Sequence, residues 1–114
     1  MYEAAFRGDM DAFAAAMHED FEEYIPPVLP WGGVRRGPDA FKNEVLPLLS
    51  EALDFGTMRL ESLSADGDHV AGLLTAESTK GDDLHIVEHW TLRDGKVWRM
   101  RVFYFDTTPL LAAE

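Results

Sequence analysis

The chain has no cysteine among its 114 residues. That removes disulfides, thiolate nucleophiles and cysteine-based zinc sites together, and it is compatible with a cytoplasmic, reducing location. Basic residues are also scarce: 10 lysines and arginines stand against 21 aspartates and glutamates, a formal net charge of −11. A surface of that sign repels phosphate backbones, and the few basic residues form no long stripe. Nucleic acid and anionic membranes are therefore poor partners. No apolar run is long enough to span a bilayer. The first residues, with Glu3, Asp9 and Asp11 among apolar ones, do not resemble a secretory signal. Internal repeats, low-complexity tracts and the HExxH, GxSxG and Walker patterns are missing too.

What is present suffices for one domain over residues 1–114, because 46% of the residues are hydrophobic and can form a real core. Tyr2, Phe6, Met10, Phe13 and Met17 recur at helical spacing, interrupted at Gly8-Asp9, where Asp9 can cap a second helical piece. Phe21 to Ile25 reads as a short strand that Pro26-Pro27 must end, since neither proline has a ladder donor. Trp31 sits in the loop that follows and either caps the core or closes the mouth of a pocket. Gly32 to Gly37 lacks the glycine spacing and the preceding strand of a dinucleotide loop. Pro38-Asp39 opens a helix with Phe41, Val45, Leu48, Leu49, Ala52 and Leu53 on its buried side, and Pro47 should kink or divide it.

From Gly56 onward the pattern is strands: Thr57–Ala65, His69–Thr79, and a long hairpin from Leu84 to Asp106 turning at Asp94-Gly95. Helical regions followed by connected hairpins predict an α+β fold, a curved antiparallel sheet with helices packed on one face. The hairpin admits two registers. A two-residue turn sets Leu92 opposite Val97 and Glu88 opposite Arg101; a three-residue loop sets Trp90 opposite Trp98 and Glu88 opposite Met100. A one-residue slip turns a whole strand over. The second register gathers Ile86, Glu88, Trp90, Leu92, Trp98, Met100, Val102 and Tyr104 on one face and keeps the arginines off it, so it is the expected one.

That face makes Glu88 the leading catalytic candidate, a lone carboxylate on an apolar wall where desolvation raises its pKa into a useful range. The plainer alternative is a Glu88 paired with an arginine or solvated at a rim. Tyr104 can donate to a ligand carbonyl or simply pack with its hydroxyl at the rim. Trp90, Trp98, Met100 and Val102 offer an adaptable apolar surface, and Tyr24 and Trp31 are counted with them as pocket residues. Asp106 continues the face or caps the C-terminal turn. His85 and His89, four apart on a strand, lie roughly 13 Å from one another, too far to share a metal. No metal site and no cofactor are expected.

The segments YEAAFRGDMDAF, PPVLPWGGVRRGPDAF, EHWTLRDGKV and FYFDTTPL resemble the SnoaL-like group of the NTF2-like, or ketosteroid isomerase-like, superfamily. The resemblance covers essentially the whole chain. It implies a cone in which a bent sheet wraps the N-terminal helices around a deep apolar pocket, and a homodimer formed through the outer sheet face. It also implies that Glu88 matches a strand acid supporting an oxyanion, with Met100, Val102 and Tyr104 on the pocket wall. The general-base aspartate of the isomerases has no counterpart here: its place before a proline holds Ile25. The implied function is binding of a hydrophobic, carbonyl-bearing small molecule, with cofactor-free isomerisation or polyketide-type cyclisation. The alternative is a non-catalytic binding or dimerisation module of the same fold.

Overall fold

A computed structural model describes residues 10–111 of the protein. The expected helical positions Tyr2, Phe6 and Asp9 lie outside them. The described chain opens with a short helix, α1 (Met10–Ala15), and passes into strand β1 (Met17–Ile25). The strand starts four residues before the expected Phe21, so Met17 and His18 belong to the sheet. The His18 Nδ1 accepts the Asp20 N–H at 3.0 Å, and its Nε2 lies 3.4 Å from Asp94 Oδ2.

Alternation within β1 is strict where it matters. Phe21, Glu23 and Ile25 are buried, while Glu22 and Tyr24 are half-exposed on the opposite face. The two prolines then end the strand, and two tight turns, Leu29 N–H to Pro26 O and Gly32 N–H to Leu29 O, reverse the chain. The reversal drops Trp31 into the interior and delivers β2 (Gly33–Arg36) antiparallel to β1, with Glu23 opposite Arg35.

Residues 38–52 form one helical stretch, α2, in three pieces: Pro38–Ala40, a π-helical turn Phe41–Val45, and an α-helix Leu46–Ala52. The irregularity sits where the sequence predicts it. Pro47 has no N–H to return to the preceding turn, and the widened turn just before it absorbs the mismatch. Phe41, Val45 and Leu46 face the core, whereas Leu48 is exposed.

Strands β3 (Leu53–Asp66), β4 (His69–Ser78), β5 (Asp83–Arg93) and β6 (Lys96–Tyr104) complete a six-stranded sheet in the order β2-β1-β6-β5-β4-β3, followed by a single turn at Thr108–Leu110. Neighbours pair antiparallel except β1 and β6, which run parallel. The α+β architecture, a curved unclosed sheet carrying helices on one face, is the expected one.

The hairpin of β5 and β6 follows neither uniform register. Asp94 and Gly95 both have positive φ (54° and 74°) and make a two-residue turn, so Arg93 pairs with Lys96 and Leu92 with Val97. A bulge then places one extra residue in β6, and beyond it Thr91 pairs with Arg99, Trp90 with Met100 and Glu88 with Val102. The cause lies in the pattern of β6 itself. Val97 is apolar at an odd position, but Met100, Val102 and Tyr104 are apolar at even ones. Without the extra residue Arg99 and Arg101 would point into the core, which costs far more than one disturbed ladder step. Trp98 occupies the bulge and does not join the inner face. It is half-exposed, with the guanidinium carbons of Arg93 and Arg99 at 5.0 and 4.0 Å from its ring.

Candidate functional site

The inner face of the sheet meets α2 and the start of β3 around a cavity of about 40 Å³. Its walls are apolar on the helical side, where Phe41, Val45, Leu46 and Leu49 contribute, and at Leu53, Phe55 and Met58 of β3. Trp31 closes the loop side. On the sheet side three polar residues interrupt the apolar lining, Glu23 from β1, Glu88 from β5 and Tyr104 from β6. At roughly 10–15 Å³ for each water-sized guest, the space holds a few waters. A ligand of more than a handful of atoms has to widen it.

Of the candidate residues, Glu88, Tyr104, Met100, Val102 and Trp31 line this space. Tyr104 lies two residues beyond Val102, the register partner of Glu88, so the two are diagonal neighbours on one face of the ladder. Four other candidates fall elsewhere. Trp90 is buried in the core beside Met100 but does not line the cavity. Trp98 is displaced by the bulge. Tyr24 points to the outer face of β1, where Arg101 lies over its ring at 5.6 Å, because it stands one residue from inward Glu23. Asp106 is exposed past the end of β6, and its Oδ1 accepts the Thr108 N–H at 3.0 Å. That hydrogen bond holds its carboxyl below the usual aspartate range, so Asp106 is a turn cap.

The residue that sequence reasoning missed is Glu23. It is 4% exposed, and its Oε1 has no hydrogen-bond partner among the described residues. The signal was there, since in Phe21-Glu22-Glu23-Tyr24-Ile25 the residue between two inward apolar positions must face inward as well. Burial, and next the negative charge of Glu88, push its carboxyl up to about 8 from an ordinary 4.5, with the Arg35 guanidinium opposing them. Burial, followed by Glu88 and Glu23, likewise pushes the Tyr104 phenol up. Tyr104 thus stays a neutral O–H donor across the physiological range.

Arg35 stands in register with Glu23 but spends its hydrogen bonds elsewhere. Its Nη1 donates to Glu44 Oε1 at 3.0 Å and its Nε to the Trp31 carbonyl at 3.3 Å. Among the described residues no group of three or more histidine, aspartate or glutamate side chains is arranged to hold a metal, and no helix is long and apolar enough to cross a membrane. Chemically, the described residues offer two carboxyl groups and a phenol at one wall of a small, largely apolar hollow.

A family model described as the SnoaL-like domain matches residues 1–100. No curated protein matches the chain. Among solved structures, an NTF2-like protein from Burkholderia thailandensis is 25% identical with a TM-score of 0.80, over 96% of this chain and 87% of that one. The structure of TerC co-crystallised with polyporic acid is 29% identical with a TM-score of 0.74, over 94% and 89% of the two chains. A Xanthomonas campestris protein of unknown function with a cystatin-like fold (20% identity, TM-score 0.79, 97% and 92% covered) shares the fold.

Proposed function

The chain belongs to the SnoaL-like domain family, and on that footing we propose that its cavity binds a small hydrophobic molecule bearing a carbonyl group and performs cofactor-free acid–base chemistry on it. One observation carries this reading: among the described residues, the polar groups lining an otherwise apolar cavity include two carboxyls and a phenol, all on adjoining strands of the sheet. Burial, and next the charge of Glu88, raises the Glu23 carboxyl to about 8, near a working pH, which suits proton transfer. Glu88 moves the proton, Tyr104 polarises the carbonyl, and the apolar wall keeps water out. Enolisation followed by isomerisation or aldol-type ring closure needs no more than this. The co-crystallisation of TerC with polyporic acid supports an organic ligand for a cavity in this fold. The chain is further proposed to act as a homodimer through its outer sheet face, where Val87, Phe103 and Phe105 are exposed.

The small volume of the cavity favours a second reading, a dimerisation or binding module with a nearly filled interior. Tryptophan fluorescence titrated with cyclohexanone and β-tetralone separates the two. Saturable change together with protein-dependent deuterium exchange at the carbon beside the ketone supports the enzyme. Saturation without exchange leaves a binding module, and a flat titration leaves a filled interior.

A further inference from the structure

We infer that Glu23 holds the proton of the site and, with the Tyr104 hydroxyl, donates to the ligand's carbonyl oxygen, which leaves Glu88 as the carboxylate that takes the ligand's proton. The assignment rests on the enolising function proposed above. It reverses the role that the family resemblance implies for Glu88, which was support of the oxyanion.

Burial decides the division of labour. Glu23 is 4% exposed whereas Glu88 is only half-buried, and of two carboxyls facing one apolar hollow the drier one keeps its proton. The cation that could overrule this makes its hydrogen bonds to other groups. Arg35, opposite Glu23 in the β1–β2 ladder, is engaged by Glu44 Oε1 and the Trp31 carbonyl. Among the described residues the Glu23 Oε1 atom has no hydrogen-bond partner and lies buried at the cavity wall, where a ligand in the hollow can reach it. Charge neighbours agree with this geometry: the negative charge of Glu88 and burial act on Glu23 in the same direction, against Arg35.

The step balances without any co-reactant. The Glu88 carboxylate removes a proton from the carbon beside the carbonyl. The C–H electron pair becomes a carbon–carbon double bond, and the carbonyl π pair moves onto oxygen. The resulting enolate oxygen accepts hydrogen bonds from Glu23 and Tyr104. Glu88 then returns the proton to another carbon of the conjugated system, or the enolate carbon attacks a second carbonyl and closes a ring.

The test uses the full chain with glutamate labelled by carbon-13 at the side-chain carboxyl, followed by NMR across pH without ligand. The expected result is one carboxyl that titrates near pH 8, assigned to Glu23, absent in Glu23→Gln, and shifted to lower pH in Glu88→Gln. A late-titrating resonance assigned to Glu88, or none at all, overturns the proposal. Assignment through the wild-type backbone gives the answer even where a variant fails to fold. With β-tetralone as substrate, exchange catalysed by the wild type falls as pH rises through about 8. In Glu23→Gln, whose amide still donates but cannot ionise, that fall disappears; its persistence sinks the assignment. Failure of every ketone to bind while the Glu23 titration is observed counts against the enzyme reading and leaves the proton assignment in place.

Discussion

Glu23 and Glu88 face the same cavity from the two strands that flank β6, Glu23 in register with Met100 and Glu88 with Val102. The pair places two acidic groups in a space with little water to separate their charges. Its clearest consequence concerns stability. The carboxyl of Glu23 is raised in the folded chain, so the folded state binds more protons than the unfolded one between about pH 4.5 and about pH 8. Stability contributed by this group is full below about 4.5, falls as pH rises, and is gone above about 8. The loss is on the order of 5 kcal/mol as an upper bound. Urea midpoints measured across that window should decline in the wild type, and Glu23→Gln should remove most of the decline. An equal slope in both proteins rules out Glu23 as its source.

Replacing Glu88 by glutamine acts on the pair from the other side. Loss of its negative charge removes one of the two forces raising Glu23, so the pH-dependent decline in stability should still begin near 4.5 but end at a lower pH and be smaller. Turnover of an enolisable ketone should fall by roughly 100-fold or more, the usual contribution of a positioned acid or base, with binding retained. Exchange rates and fluorescence titration of the same variant check both halves. Unchanged turnover removes Glu88 from the chemistry.

Glu44 lies outside the cavity, yet its carboxylate holds Arg35 at 3.0 Å. In Glu44→Gln that hold weakens, and the guanidinium is free to turn to Glu23, its register partner. The Glu23 titration should move toward the ordinary glutamate value, while the exposed pair itself contributes under about 1 kcal/mol to stability. Carboxyl NMR measures the first and denaturant melts the second.

Gly32 tests the loop that carries Trp31. A side-chain carbon there runs into the Pro26 carbonyl oxygen and comes within 2.9 Å of the Leu29 oxygen, both backbone atoms of the turns that reverse the chain. Gly32→Ala should therefore cost roughly 1–3 kcal/mol, as overpacking does elsewhere, and should disturb the Trp31 wall. A melting temperature unchanged from the wild type contradicts this.

Alternating apolar positions in β4 to β6, the Asp94-Gly95 turn and the proline breaks made the α+β architecture readable before any coordinates. They also placed Glu88 and Tyr104 on one face. The Trp98 bulge was not readable in the same way, because a choice between two uniform registers leaves out a strand that changes phase midway. The displacement of Tyr24 and the inward turn of Glu23 are one fact seen twice: the period of β1 was legible in Phe21 and Ile25 but was not applied to the residue between them. The parallel pairing of β1 with β6 joins segments far apart in the chain, and no local pattern encodes it. The narrowness of the cavity depends on how α2 side chains fill space, which hydrophobic spacing does not specify.

Because the extra residue in β6 carries its indole to the outer surface, the three tryptophans are optical probes of three different places. Trp31 reports on the hollow, Trp90 on the packing between β5 and β6, and Trp98 on the arginines around it. Emission from the intact protein mixes all three, and a signal from Trp98 can follow ionic strength or pairing with a second copy with the interior untouched. A chain in which phenylalanine replaces Trp90 and Trp98 leaves Trp31 as the reporter and ties the fluorescence titration to the hollow.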